Sequence, residues 1–143
     1  MRIKLSFDEK PIYAIFIPVR ITDINYGGHV GNDAMLAIIH EARLSWLKSM
    51  QYSEMDLGGC GSIMAESLVQ YKAESFHGDT LKIEILVENI TNVSFDIIYK
   101  ITTLRVEKEI LIAMAKTTMI SFNYQQRKIV PLPNEFLKKI NLS

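Results

Sequence analysis

Apolar residues recur along this chain with two periods, one near 3.6 and one of 2, and their alternation outlines the fold. From Pro11 to Ile21 nearly every position is apolar or β-branched, the pattern of a buried strand, with Pro18 requiring an edge or a bulge. Asp23 to Asn32 breaks the run with Gly27, Gly28 and Gly31 and ends in Asn32, an expected N-cap. Eleven of the eighteen residues from Asp33 to Met50 are apolar, and Met35, Leu36, Ile39, Ala42, Trp46, Leu47 and Met50 form a stripe at helical spacing. This predicts a mostly buried helix.

Period 2 then takes over. A glycine-rich loop, Gly58 to Gly61, leads into a predicted strand from Ile63 to Tyr71. Leu81, Ile83, Ile85 and Val87 alternate with polar residues, as do Val93, Phe95, Ile97, Tyr99 and Ile101, and the turn at Asn89 to Asn92 makes the two runs a hairpin. After a turn near Glu107 and Lys108, Glu109 to Tyr124 predicts another long strand, with a short extension to Val130. Pro131 and Pro133 end it, and Asn134 opens a last short helix through Ile140. The sum is an α+β architecture in which one long helix has a curved antiparallel sheet available to wrap it. Such a sheet leaves an edge uncovered, so a homodimer or homotetramer is expected.

Composition narrows the function classes. At 143 residues with 48% hydrophobic, the chain supports one core, and a single domain spanning 1–143 is expected. Lys+Arg and Asp+Glu are equal at 16 each, so no overall charge points to nucleic acid or an anionic membrane. Met1 to Lys10 interleaves charges with apolar residues and holds no signal-peptide core, and runs such as Leu111 to Ala115 fall far short of the roughly 20 residues of a spanning helix. The one cysteine, Cys60, fits a reducing compartment and excludes a cysteine metal cage; a cytoplasmic protein is expected.

The run Asp23-Ile24-Asn25-Tyr26-Gly27-Gly28-His29-Val30-Gly31-Asn32, followed by His40-Glu41-Ala42-Arg43, resembles the hot-dog-fold thioesterases of the 4-hydroxybenzoyl-CoA and acyl-ACP thioesterase group. There an acidic Gly-His-Val-x-Asn loop runs into the central helix and a Glu-Ala-Arg triplet follows about three turns on. Tyr71 to Leu81 resembles the group's approach to its third strand, with Glu74 and Ser75 where an apolar pair is usual. The resemblance implies a hot-dog fold, hydrolysis of an acyl-CoA or acyl-carrier-protein thioester to the free acid, and no metal or cofactor. Many members carry an acid four residues before the histidine; here that position is Asn25, which cannot accept the proton.

Thioester hydrolysis needs donors aimed at the developing oxyanion and a group that activates water or attacks. The amides of Gly28, His29 and their neighbours, leading into a helix N-terminus, are candidate donors, with Gly27, Gly28 and Asn32 lining the substrate; a tight turn would also explain the glycines. Asn25 is assigned to orienting water or the carbonyl, and His29 to bonding the carbonyl or holding Asn25. For the acid, Glu41 matches the carboxylate that the resemblance places on the central helix, against a solvated helix glutamate beside Ser45 and Lys48. Glu66, placed between Met64 and Leu68 on one strand face, is the second candidate, against a structural ion pair. Asp23, His40, His77 and Cys60 read as structural. Arg43, inside the apolar stripe, needs a partner, a salt bridge ahead of a coenzyme A phosphate. Lys72, Lys82, Lys100 and Arg105 are further phosphate candidates. Two alternatives stay open: a non-catalytic acyl-thioester-binding protein, favoured by Asn25, and a hot-dog enoyl-CoA hydratase, whose Asp-x-Asn-x-x-His loop sets its histidine one residue closer than here.

Overall fold

The structure is a computed structural model that describes residues 3–141. Its elements are β1 (Tyr13–Pro18), α1 (Asn32–Ser49), β2 (Gly61–Tyr71), β3 (Thr80–Glu88), β4 (Ser94–Arg105), β5 (Lys108–Asn123), β6 (Lys128–Ile129) and α2 (Asn134–Asn141). The strands form one antiparallel sheet in the order β1-β3-β4-β5-β2, with β6 on the end of β5. β1 is an edge strand and closes on Pro18, where a missing N–H costs no ladder bond. The chain then makes a single 3-10 turn, Ile21–Asp23, so the predicted strand is shorter at both ends.

Alternation decides what packs on what. Leu81, Ile83, Ile85, Phe95, Ile97, Tyr99 and Ile101 point to one face and are buried against α1. Opposite them on β5, Ala113 and Ala115 pair with Ile101 and Tyr99 and are buried in the same core. From α1 the core takes Met35, Ile38, Ile39, Ala42, Trp46 and Leu47. Leu36 is exposed instead, toward the β2 edge. α2 closes one end of the core with Phe136 and Ile140; the Phe136 ring sits 5.3 Å from Phe95 and 5.2 Å from Tyr52. On the other face, Leu5, Phe7 and Ile12 cover Leu86, Ile98 and Met114.

Two local departures matter for the site. Gly31, with extended φ −76° and ψ 162°, takes the N-cap of α1, so Asn32 is the first helical residue and not the cap. In β2 the register against β5 shifts between Met64 and Glu66, a β-bulge. The extra residue reverses the parity. Met64 pairs with the buried, helix-side Met119, whereas Glu66 pairs with Thr118 on the outer face. Glu66 and Met64 therefore do not share a face.

Candidate active site

Residues 24–31 fold into a small hairpin-like turn that delivers the chain into α1. Asn25 organises it: its amide N–H donates to His29 O at 2.9 Å, its carbonyl accepts Gly28 N–H at 3.1 Å, and its side-chain Oδ1 accepts Gly27 N–H at 2.9 Å. This is an Asx turn. Gly28 sits at φ +84°, the left-handed region that glycine enters without cost. Asp23, buried, holds the base of the turn through its carboxylate, which accepts the Arg20 backbone N–H at 2.8 Å and pairs with the Arg20 guanidinium at 3.2 Å, while its carbonyl accepts Gly31 N–H. That is the structural role expected for it.

The turn is pinned to the segment after β2, where Val30 N–H donates to Ser75 O at 2.8 Å. Between the two lies a cavity of about 380 Å³ walled by His29, Val30, Asn32, Met35, Tyr71, Lys72, Ala73, Glu74, Ser75 and Ile112. α1 enters it without a side-chain cap, and the first intrahelical bond runs from Met35 N–H to Gly31 O. The amides of Asn32, Asp33 and Ala34 precede that bond and have no intrahelical acceptor, and the helix dipole adds partial positive charge. His29 is oriented by a 3.2 Å contact of Nδ1 with its neighbour's carbonyl, Val30 O. Tyr71 Oη bonds Asn32 O at 3.4 Å; burial, then the Asp33 carboxylate, push its phenol above the ordinary tyrosine range.

A second network holds the cavity's far wall. Arg105 grips Asp79 through two bonds, 2.6 and 3.2 Å, and donates to Glu74 O at 2.8 Å; Asp79 also accepts Phe76 N–H and the Ser75 hydroxyl. The Arg105 guanidinium holds the Asp79 carboxyl below its usual range, despite partial burial. Arg105 is thus committed to the loop and is not a free phosphate ligand.

The residues singled out from sequence divide accordingly. His29 and Asn32 line the cavity; Asn25, Gly27 and Gly28 form the turn behind His29. Glu41 is not brought there. It lies nine residues after Asn32, roughly 13 Å along the axis, exposed and within range of the Arg20 charge. Glu66 is 58% exposed on the outer face and pairs with Lys116 at 3.0 Å, so it is not the buried acid its strand position suggested. Arg43 finds the salt bridge it needs: buried to 3% exposure, it lies 3.4 Å from Glu54, with Nη1 donating to Tyr99 Oη at 3.2 Å. Glu54 also meets His40 Nε2 at 2.7 Å. His40, Arg43, Leu36, Met64, Ser67 and Thr117 line a smaller cavity of about 290 Å³ farther along the α1–β2 cleft. Burial pushes the Cys60 thiol up, which disfavours the reactive thiolate. Tyr71 and Ser75 also line the cavity, and in the sequence only the Tyr71 to Leu81 resemblance points to them.

Among the described residues no group of three or more His, Cys, Asp or Glu could hold a metal, and no helix is long and apolar enough to cross a membrane. No curated protein sequence matches the chain. Solved structures do. A 1,4-dihydroxy-2-naphthoyl-CoA thioesterase from Synechocystis superposes with a TM-score of 0.80 at 23% identity, over 90% of this chain and 95% of that one. A putative thioesterase from Pseudomonas aeruginosa gives 0.80 at 21%, over 92% and 99%. A 4-hydroxybenzoyl-CoA thioesterase, an aspartate-to-asparagine variant bound to 4-hydroxybenzoyl-CoA, gives 0.79 at 12%, over 88% and 96%. The fold is the hot-dog fold. The sequence model of the Thioesterase-like superfamily matches residues 19–140, nearly the whole chain, and the protein belongs to that superfamily.

Proposed function

We propose that this single domain is a cytoplasmic acyl-CoA thioesterase, hydrolysing a fatty or aromatic acyl thioester to the free acid and coenzyme A. The observation that carries the reading is the uncapped start of α1 opening into the cavity lined by His29, Asn32 and Tyr71. A thioester carbonyl there points at the Asn32 and Asp33 amides, which stabilise the oxyanion more than the ground-state carbonyl. His29, held by Val30 O, bonds the carbonyl or its water. Lys72 at the cavity wall suits a coenzyme A phosphate, and the α1–β2 cleft beyond takes the acyl group. The binding of 4-hydroxybenzoyl-CoA by one structural relative supports this class of ligand.

The functional unit is a homodimer or a homotetramer built from it. β2 is an eleven-residue edge strand with Met64 and Tyr71 exposed along it, and pairing with a second copy satisfies its open backbone groups. Sedimentation of the wild-type chain at the dimer or tetramer mass, and a lower mass for Met64→Asp, are expected; a monomeric wild type contradicts the assembly.

Thiol release from short, long, branched and aromatic acyl-CoA esters tests the activity. Turnover well above the spontaneous rate is expected with at least one ester, and the preferred acyl group reports the cleft's length. Tight binding of every ester without release would instead make the protein a non-catalytic acyl-thioester binder.

A further inference from the structure

Hydrolysis requires a proton acceptor for the attacking water. Asn25 is an amide, and its Oδ1 is already taken by Gly27 N–H. The carboxylates of Asp23, Asp79, Glu54 and Glu66 are tied to Arg20, Arg105, Arg43 with His40, and Lys116. Asp33 is different. Its carboxylate makes no hydrogen bond or ion pair among the described residues, and it folds back over the start of its own helix. Asp33 Oδ1 lies 2.8 Å from the point a Cβ on Gly31 would occupy, and Asn25 Nδ2 lies 3.8 Å from that same point. The carboxylate and the Asn25 side chain therefore both pack against the bare Gly31 Cα, on the same side of the turn. The carboxylate can take this position because residue 31 has no side chain. Asp33 follows Asn32 of the cavity wall, its own amide is one of those assigned to the oxyanion, and its charge is felt at Tyr71 of the same cavity.

We infer that Asp33 is the catalytic base, with Asn25 Nδ2 positioning the water and Gly31 giving the carboxylate its room. This rests on the thioesterase reading and supplies the acid that the loop lacks at position 25. The water oxygen bonds to the carbonyl carbon as its proton passes to Asp33, and the carbonyl electron pair moves onto oxygen at the α1 amides. Collapse of the oxyanion reforms the C=O bond and breaks C–S. The departing thiolate takes the proton from Asp33, leaving acid, thiol and the original carboxylate.

An acidic residue in a first helical turn also steadies the helix, so the test needs readouts that steadiness does not move. With the best acyl-CoA ester, Asp33→Asn is expected to lower kcat by about 10²-fold or more while KM stays within a few-fold and the circular dichroism is unchanged. Asp33→Glu recovers part of the rate, and formate restores turnover to Asp33→Ala in a concentration-dependent way. Gly31→Ala, which drives a Cβ into the Asp33 carboxylate, lowers kcat as well. Asp33→Asn turning over at the wild-type rate overturns the assignment, as does a folded Asp33→Ala that formate leaves inactive. A loss found only in Glu41→Gln or Glu74→Gln overturns it too. If the wild type releases no thiol from any ester, the thioesterase reading itself fails, and the base goes with it.

Discussion

Glu54→Gln is the sharpest test of how the helix is held to the sheet. Arg43 is 3% exposed in the apolar stripe of α1, 3.4 Å from Glu54, and its other contact is the Tyr99 hydroxyl, itself bonded to Thr117 at 2.7 Å. At 3.4 Å and an effective dielectric near 20, the pair's Coulomb attraction is about 5 kcal/mol before desolvation is subtracted. Removing one partner of a buried pair costs roughly 3–5 kcal/mol, because the other charge stays buried without compensation. Glu54 is 23% exposed although the Oε1 that faces Arg43 is buried, so solvent at the outer part of the side chain offsets only part of the loss. Glutamine keeps the shape, and the Glu54 carbonyl goes on accepting the Ser62 N–H and hydroxyl. The expected loss is therefore about 2–4 kcal/mol, or roughly 6–12 °C in Tm for a domain of this size. Urea unfolding followed by circular dichroism measures it. In the double variant with Arg43→Met, most of the loss should disappear, since no charge is left to compensate. A Glu54→Gln midpoint within about 0.5 kcal/mol of wild type would refute the reasoning and mean that Arg43 is solvated or paired elsewhere.

Three further outcomes follow from single features. Because Arg105 holds the folded Asp79 carboxyl below its ordinary 3.8, its contribution to stability is fully present above that pH and is lost as pH falls toward the depressed folded value. The wild-type urea midpoint should thus drop more steeply below about pH 4 than that of Asp79→Asn, which is already weakened at neutral pH; parallel curves would contradict the clamp. Gly61→Ala places a Cβ 2.8 Å from the Tyr124 ring and 3.3 Å from Met55 O, and should cost about 1–3 kcal/mol by urea unfolding. Val106 is β-branched, 99% exposed and held at φ +50° in the β4–β5 turn, followed by Glu107 at +64°. Replacing the pair with Asn-Gly should raise stability by about 1 kcal/mol, measured as a higher Tm, because both residues then suit a left-handed turn.

The parts of the fold legible from sequence are those written by repetition. The alternation of Leu81 to Val87 and of Val93 to Ile101 predicts β3 and β4, and the helical stripe through Met35, Ile39, Ala42 and Trp46 predicts the buried face of α1. Single-residue events were not legible. The bulge beside Ala65 carries no composition signal, yet it turns Glu66 outward, and the choice of Gly31 over Asn32 as cap depends on Asp23 O accepting the Gly31 amide. Arg43's need for a partner could be read from its place in an apolar stripe, but Glu54 lies eleven residues on, beyond the end of α1, so only the folded chain identifies it. At the site, the loop motif pointed to His29 and Asn32, which do line the cavity. In the sequence Asp33 is only the first residue of a helix, because its relation to Asn25 runs across Gly31 in space.

On the proposed function, an acyl thioester binds where α1 starts. A non-hydrolysable acyl-CoA thioether, titrated into the ¹⁵N-labelled protein and followed by amide chemical shifts, tests it most directly. The largest shifts are expected at Asn32, Asp33, Ala34 and along Tyr71 to Ser75, where the cavity wall and the uncapped amides meet. Shifts confined to the separate surface cavity of about 420 Å³ around Phe16, Thr103 and Leu104 would place the ligand elsewhere and contradict the account.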